Sequence, residues 1–121
     1  MPIYILISTL TDEGRKTVKK HPDRIEAVNM EIENMGAKVL AQYAVLGQYD
    51  FINIVEAPNN EAIAKLSIEL GSRGTVQIIT LPAIPVDDFI NKMTWSFGEK
   101  RIFFSFLNLL LIIKEAGIIN S

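Results

Sequence analysis

Apolar residues occur in segments of two kinds, some with strand-like and some with helical spacing. Residues 3–10 form a continuous apolar run rich in β-branched side chains, which predicts a first strand. The polar cluster 11–14 follows and is expected to end it. Residues 15–35 then predict a helical region interrupted at His21-Pro22, because their apolar residues recur at helical spacing, at Val18, Ile25, Val28, Ile32 and Met35.

The ends of the longer helix carry residues suited to those positions. Pro22 is expected in its first turn, where a missing N–H costs nothing. Gly36 is expected in the left-handed conformation that ends a helix.

The next two segments predict a hairpin. Residues 38–45 alternate, with Val39, Ala41, Tyr43 and Val45 expected on one side of a second strand. Residues 51–57 predict a third strand. Gly47 between them fits a tight hairpin or bulged turn that requires a positive φ.

The remaining elements of the first 94 residues are a helix and a strand. Residues 58–60 break the third strand and offer an N-cap for a helix over about residues 61–70, with Ile63, Leu66 and Leu70 facing inward. Residues 71–74 are expected to end this helix. Residues 75–81 predict a fourth strand closed by Pro82.

The order β-α-β-β-α-β predicts a ferredoxin-like α+β fold, in which two helices cover one face of a four-stranded antiparallel sheet. Two helices leave the second face uncovered. Strand one nevertheless carries Ile3, Ile5 and Ile7 on one side and Tyr4, Leu6 and Leu10 on the other. An apolar face of that size indicates an interface, so we expect two chains to pack sheet against sheet in a homodimer or a higher oligomer.

Composition excludes several classes of site. The 121 residues contain no cysteine and one histidine, so disulfides, thiolate zinc sites, cysteine nucleophiles and sites with two imidazoles from one chain are excluded. We expect no protein-supplied metal site and no cofactor. The N-terminal sequence lacks the pattern of a signal peptide, so a cytoplasmic location is expected.

Charge gives little reason to expect a nucleic-acid partner. The net charge is −2, and the basic cluster over residues 15–24 is followed at once by acidic residues. No aromatic residue is interleaved there to stack bases. The cluster is therefore interpreted as a solvated helix face.

Residues 95–121 are predicted to be a helical extension of the domain formed by residues 1–94. The apolar run 102–113 would span about 18 Å as a helix, which is too short for a hydrocarbon core of roughly 30 Å. Its one narrow polar stripe predicts burial against the barrel or a neighbouring chain. The alternatives are an interfacial membrane anchor over residues 102–113 or an extension without function; the anchor is disfavoured because interfacial helices usually have a wide charged face.

The sequence Gly47-Gln48-Tyr49-Asp50 in the hairpin has two interpretations. In the structural one, Asp50 accepts backbone N–H groups and Tyr49 seals a subunit edge. In the functional one, Asp50, Tyr49 and Tyr43 line a pocket for a small polar ligand. His21 and Arg24 are further candidate ligand-binding residues, although the position of His21 is typical of a solvated loop.

Several segments together resemble the GYD-domain family over about residues 1–90. They are Thr11-Asp12-Glu13-Gly14, Pro22 with Arg24, Gly47-Gln48-Tyr49-Asp50 and Glu56-Ala57-Pro58. The resemblance implies a dimeric α/β-barrel fold and names no activity. More loosely, the Gly-x-Tyr-Asp pattern is similar to that of the small-molecule-sensing domain of leucine-responsive regulators. Those proteins carry an N-terminal DNA-reading helix-turn-helix, so a DNA role for this chain is expected to need a partner.

The leading functional hypothesis is a non-catalytic, homo-oligomeric module that binds a small ligand or another protein, with pockets between subunits. The alternative is a small cofactor-free enzyme, resembling the monooxygenases and isomerases built on this fold, with His21, Tyr43, Tyr49 or Asp50 as acid–base groups. A structural or chaperone-like role is the third hypothesis. No catalytic residue is assigned.

Overall fold

The computed structural model describes residues 1–94 and 98–117, with side chains described for residues 1–93 and 106–117. Contacts divide the chain into two compact units, Met1–Ala83 and Ile84–Ser121. The elements in chain order are β1 (Ile3–Leu10), α1 (Asp12–Lys20), α2 (Arg24–Asn34), β2 (Lys38–Ala44), β3 (Phe51–Glu56), α3 (Asn60–Gly71), β4 (Val76–Ala83), α4 (Val86–Thr94) and α5 (Gly98–Glu115).

The first unit contains one antiparallel sheet with the strand order β2-β3-β1-β4. The first and last strands of the predicted pattern therefore lie side by side, with β1 between β3 and β4. The ferredoxin-like α+β fold predicted from the order of elements is confirmed.

The core lies between one face of the sheet and the helices. Tyr4 and Leu6 of β1 and Val55 of β3 are fully buried there, together with Ile32 of α2 and Leu66 of α3. Burying a side chain of this kind contributes about 1.5–3 kcal/mol. This face of the sheet is called the covered face below, and the opposite one the apolar face.

The predicted helical region is divided into α1 and α2 around His21-Pro22, and α1 begins earlier than predicted, within the polar cluster 11–14. Thr11 directly follows β1 and caps α1, because its hydroxyl oxygen accepts a hydrogen bond from the Gly14 N–H at 3.1 Å. Two acidic residues occupy the first turn of α1, where the helix dipole favours negative charge. Pro22 lies in the turn between α1 and α2 rather than in the first turn of α2, which begins at Arg24.

Because β2 contains a β-bulge, its side chains lie on faces of the sheet that differ from those predicted. Val39 pairs with the buried Val55, whereas Ala41 pairs with Ile54 and the register shifts between Val39 and Ala41. The extra residue reverses the alternation, so Val39 lies on the covered face and Ala41 and Tyr43 lie on the apolar face. The prediction that these three residues share one face was wrong.

The end of β4 differs from the prediction. The strand β4 continues to Ala83 through Pro82, which pairs with Tyr4, and Pro82 therefore does not close it. An edge strand tolerates a residue without an N–H. Gly36 and Gly47 have φ values of 91° and 105°, as predicted for the end of a helix and for the hairpin.

The second unit contains α4 and α5. The helix predicted over the apolar run is confirmed, and α5 begins earlier, at Gly98. Its side chains from Phe106 to Ile112 are exposed, with Ile112 62% exposed, and the predicted burial of this helix stays a prediction. Within the described residues, no helix has the length and hydropathy to cross a membrane. Arg101 and Ser105 belong to the predicted polar stripe, and Trp95 is the residue expected at the headgroup level in the membrane-anchor alternative. Trp95 and the side chains of Arg101 and Ser105 lie outside the described residues.

Candidate functional site

Asp50 joins the hairpin to the end of β1. Its carboxylate accepts a hydrogen bond from the Leu10 N–H at 2.7 Å, and its own N–H donates to the Ser8 carbonyl at 2.9 Å. Its carbonyl accepts from the Val45 N–H at 2.9 Å. Asp50 thus connects three strands through its side chain and both of its backbone groups, as in the structural interpretation of the motif.

Replacing Asp50 tests this interpretation. Asp50→Ala is expected to lower the free energy of unfolding by about 2 kcal/mol, because it leaves a partly buried N–H without its charged acceptor. Asp50→Asn keeps an acceptor oxygen and should lose less. The matched control is Asp12→Ala, which removes an exposed ion pair with Arg15 and should cost at most about 1 kcal/mol. Urea unfolding of the three variants measures the differences, and equal stability of Asp50→Ala and Asp12→Ala would contradict the structural role.

The other predicted site residues lie apart. Tyr43 stands on the apolar face opposite Ile52 and is 58% exposed, while Tyr49 is half-buried in the turn. His21 is exposed and ends α1, with its N–H bonded to the Thr17 carbonyl at 2.8 Å. Arg24 begins α2 and lines a cavity on the covered face.

The structure therefore does not bring the five predicted residues together. Tyr49 and Asp50 are neighbours in the hairpin, but Tyr43 and Arg24 lie on opposite sides of the sheet. This arrangement does not favour acid–base catalysis by these groups acting jointly, because a general acid and a general base must both reach the reacting atoms.

The cavity beside Arg24 lies between the covered face of the sheet and the helices α1 and α2. Its volume is about 140 Å³. Most of its walls are apolar, and they include Leu6, Val28, Ile32 and Ile78.

Three amide side chains belong to the polar part of this cavity, which also contains hydroxyl and guanidinium groups. Asn29 of α2 and Gln42 of β2 bond to each other twice, at 2.8 and 3.2 Å. Asn53 of β3 is 9% exposed, and its Oδ1 atom has no donor among the described residues. Sequence analysis missed all three; the available signal was Asn53 itself, a polar residue within an otherwise apolar strand.

Arg73 lies at the wall of the cavity and is held by two carboxylates. Its guanidinium donates a hydrogen bond to Glu31 of α2, and it lies 3.5 Å from the carboxylate of Glu69 in α3. The hydrogen bond to Glu31 raises the pKa of Arg73 above its ordinary value, and the charge of Glu31 adds to this. Arg73 therefore remains charged and links α2 to the end of α3.

The apolar face is the second prominent surface of this unit. Helices α1, α2 and α3 belong to the other side of the sheet, and β4 presents Ile79 and Leu81 here at 47% and 43% exposure. The rows of paired residues across the sheet are aliphatic at Ile54, Ile5 and Leu81 and again at Ile52, Ile7 and Ile79. A continuous aliphatic surface of this kind is typical of a protein interface.

Comparison with solved structures supports the fold. The chain is similar to the crystal structure of MtbAldR, with a TM-score of 0.54 and 19% identity over 69% of this chain and 52% of that one. It is also similar to the leucine response regulatory protein LrpA of Mycobacterium tuberculosis, with a TM-score of 0.50 and 18% identity over 69% of this chain and 51% of that one. This chain spans about half the length of either of these proteins, and at these identities the likeness shows the fold alone.

Sequence comparison identifies a closer relative and a family. The chain is 51% identical over 94 residues to the glutamine synthetase and cystathionine beta-lyase binding protein of Thermus thermophilus, a match that covers 77% of this chain and 99% of that protein. The family model of the GYD domain matches residues 4–93. The predicted resemblance is confirmed, and this chain belongs to the GYD domain family.

Proposed function

We propose that this protein is a homo-oligomeric interaction module that binds an enzyme of the classes named for its Thermus relative, a glutamine synthetase or a cystathionine β-lyase. The observation that carries the proposal is 51% identity across nearly the whole length of that relative. Because fold alone does not imply function, the likeness to solved structures adds no partner to this proposal. A cytoplasmic location, as predicted, would suit such a partner.

The apolar face supports the homo-oligomeric part of the proposal. Aliphatic residues from β1, β3 and β4 lie side by side on it, and Tyr43 borders it from β2. Two copies packed through these faces would remove the surface from water, with about 25 cal/mol gained for each Å² of apolar area buried. The enzyme would then bind to surfaces outside this face.

The binding of the enzyme is assigned to the domain that the relative shares. The family match ends at residue 93, and the relative has almost no sequence outside the matched region. Residues 95–121 are therefore expected to be dispensable for binding the enzyme.

Size-exclusion chromatography with light scattering tests the proposal. Purified full-length protein is mixed with glutamine synthetase, and separately with cystathionine β-lyase, prepared from the organism that encodes this chain. We expect co-elution with at least one enzyme and no co-elution with serum albumin. The same is expected of a variant that ends at residue 94, once its circular dichroism matches that of the full chain.

Two results would contradict the proposal. Failure of the full-length protein to co-elute with either enzyme would overturn the partner. Binding by the full chain but not by the folded shorter variant would move the binding surface to the extension and contradict its assignment to the shared domain.

A further inference from the structure

The helix α4 carries its large apolar residues along one side. Their spacing of i, i+3, i+4 and i+7 keeps them within an arc of about 100° around the helix axis. They are called the α4 stripe below and consist of Val86, Phe89, Ile90 and Met93. Their exposure ranges from 39% at Ile90 to 73% at Met93. A short amphipathic helix with an exposed apolar side is typical of one that docks in a groove of another protein.

The α4 stripe belongs to the domain that this chain shares with its Thermus relative. The model of the GYD domain matches residues 4–93, and the stripe ends at Met93. The match with the relative covers 99% of that protein over 94 residues, which leaves it almost no sequence outside the domain. An enzyme-binding surface common to the two proteins must therefore lie within the GYD domain.

Exposed apolar side chains of the described part of this domain are concentrated on two surfaces. One is the apolar face, which the proposed homo-oligomer would cover, and the other is the α4 stripe, directly preceded by Ile84. Outside the sheet, the remaining large ones come one each from α2, the hairpin and α3, and they are Met30, Leu46 and Ile68. Because binding energy is concentrated in a cluster of apolar anchors, the α4 stripe is the surface best suited to the enzyme.

We propose that the α4 stripe docks in an apolar groove on the surface of the partner enzyme. This inference rests on the proposed function, to which it adds the binding surface and the chemistry of its counterpart. Phe89 has the largest side chain of the stripe and is expected to be its main anchor. A helix of nine residues is about 14 Å long, so the groove has to accommodate about two and a half turns.

The charged residues of α4 predict the rim of that groove. Asp87 flanks the stripe on one side and Lys92 flanks it on the other, whereas Asp88 lies on the opposite side of the helix. The groove is therefore expected to carry a basic group on one rim and an acidic group on the other. An anionic membrane surface fits less well, because helices that bind it are rich in Lys and Arg, and α4 has two acidic residues and one basic residue.

Isothermal titration calorimetry tests the assignment, with the full-length protein titrated into glutamine synthetase and, separately, into cystathionine β-lyase. Phe89→Ala and Met93→Ala each shorten a side chain of the stripe without weakening the helix, because alanine has the highest helix propensity. We expect each to raise the Kd for the enzyme that binds by at least about tenfold. Phe89→Leu keeps an apolar side chain and should lose less.

The matched control is Asp88→Ala, which changes an exposed residue on the opposite side of the same helix. Its Kd should stay within about threefold of the wild-type value. Circular dichroism and light scattering should show that every variant keeps the fold and the oligomeric state of the wild type. Hydrogen–deuterium exchange of the wild-type complex needs no variant, and we expect the enzyme to slow exchange in α4 and to leave α1 unchanged.

The outcomes separate this inference from the proposed function. If the wild type bound neither enzyme, the proposed function would fail and the docking of α4 with it. If the wild type bound an enzyme and Phe89→Ala bound it equally well, with no slower exchange in α4, only the assignment to α4 would be wrong. If Phe89→Ala or Met93→Ala dissociated the homo-oligomer, the stripe would instead pack against a second copy of this chain, which would also overturn the inference.

Discussion

Gly14→Ala is expected to lower the free energy of unfolding by about 3 kcal/mol and the melting temperature by more than about 10 °C. A Cβ atom at this position would lie 2.0 Å from the carbonyl oxygen of Thr75. Atoms cannot approach so closely, and the obstacle is backbone, which cannot rotate away as a flexible side chain can. Either α1 or the start of β4 would have to move.

The local hydrogen bonds leave little room for that movement. The Thr11 N–H donates to the same Thr75 carbonyl at 3.0 Å, and the Thr11 hydroxyl donates to the Gly74 carbonyl at 2.8 Å. These contacts join the beginning of α1 to the segment that enters β4. Displacing the helix would therefore stretch or break them as well.

Gly71→Ala is the matched control for this substitution. Its added Cβ would meet no atom within 4 Å, and its backbone is not in the left-handed region. At the end of α3 the same chemical change should raise the free energy of unfolding by about 0.4–1 kcal/mol. Thermal unfolding followed by circular dichroism gives both values, and a melting temperature of Gly14→Ala equal to that of the wild type would contradict the close approach.

Ile79→Lys is expected to convert the proposed dimer into a monomer at micromolar concentration. Ile79 lies on the apolar face opposite Ile7, and it is 47% exposed in the single chain. A lysine here can reach water in the monomer, but in a sheet-to-sheet dimer its ammonium group would be buried without a partner. That penalty is several kcal/mol, so we expect the dissociation constant to rise by at least about 100-fold.

The control is Met30→Lys, which introduces the same charge at a residue of α2 that is also exposed. It should leave the dimer intact, because it lies on a helix of the covered face. Analytical ultracentrifugation over a range of concentrations measures both constants. A monomeric wild type would contradict the proposed dimer. If Ile79→Lys remained dimeric, the dimer interface would have to lie on a different surface.

The hydrophobic pattern correctly predicted those elements that depend on residues close together in the sequence. The β-branched run of β1, the glycines that need a positive φ at residues 36 and 47, and the inward residues of α3 could all be assigned because these signals depend on near neighbours in the chain. The apolar residues on both faces of β1 could likewise be identified from strict alternation, and they predicted the apolar face.

The errors have a common physical origin, which is dependence on residues distant in sequence. The bulge at Leu40 is defined by the pairing of β2 with β3, so alternation within β2 could not show that Val39 and Ala41 face opposite sides. Pro82 remains within a strand because β4 is at an edge of the sheet, and strand order is a property of the whole domain.

For the candidate sites, the sequence by itself determined which chemistry was available, since it contains no cysteine and one histidine, and which family the chain resembles. Only the tertiary structure decided where the polar groups lie. It brought the Asp50 carboxylate to the Leu10 N–H and buried Asn53 Oδ1 without a donor among the described residues. Hydrogen bonds between residues 40 positions apart, and the space left between a sheet and its helices, arise only when the folded chain brings distant segments into contact.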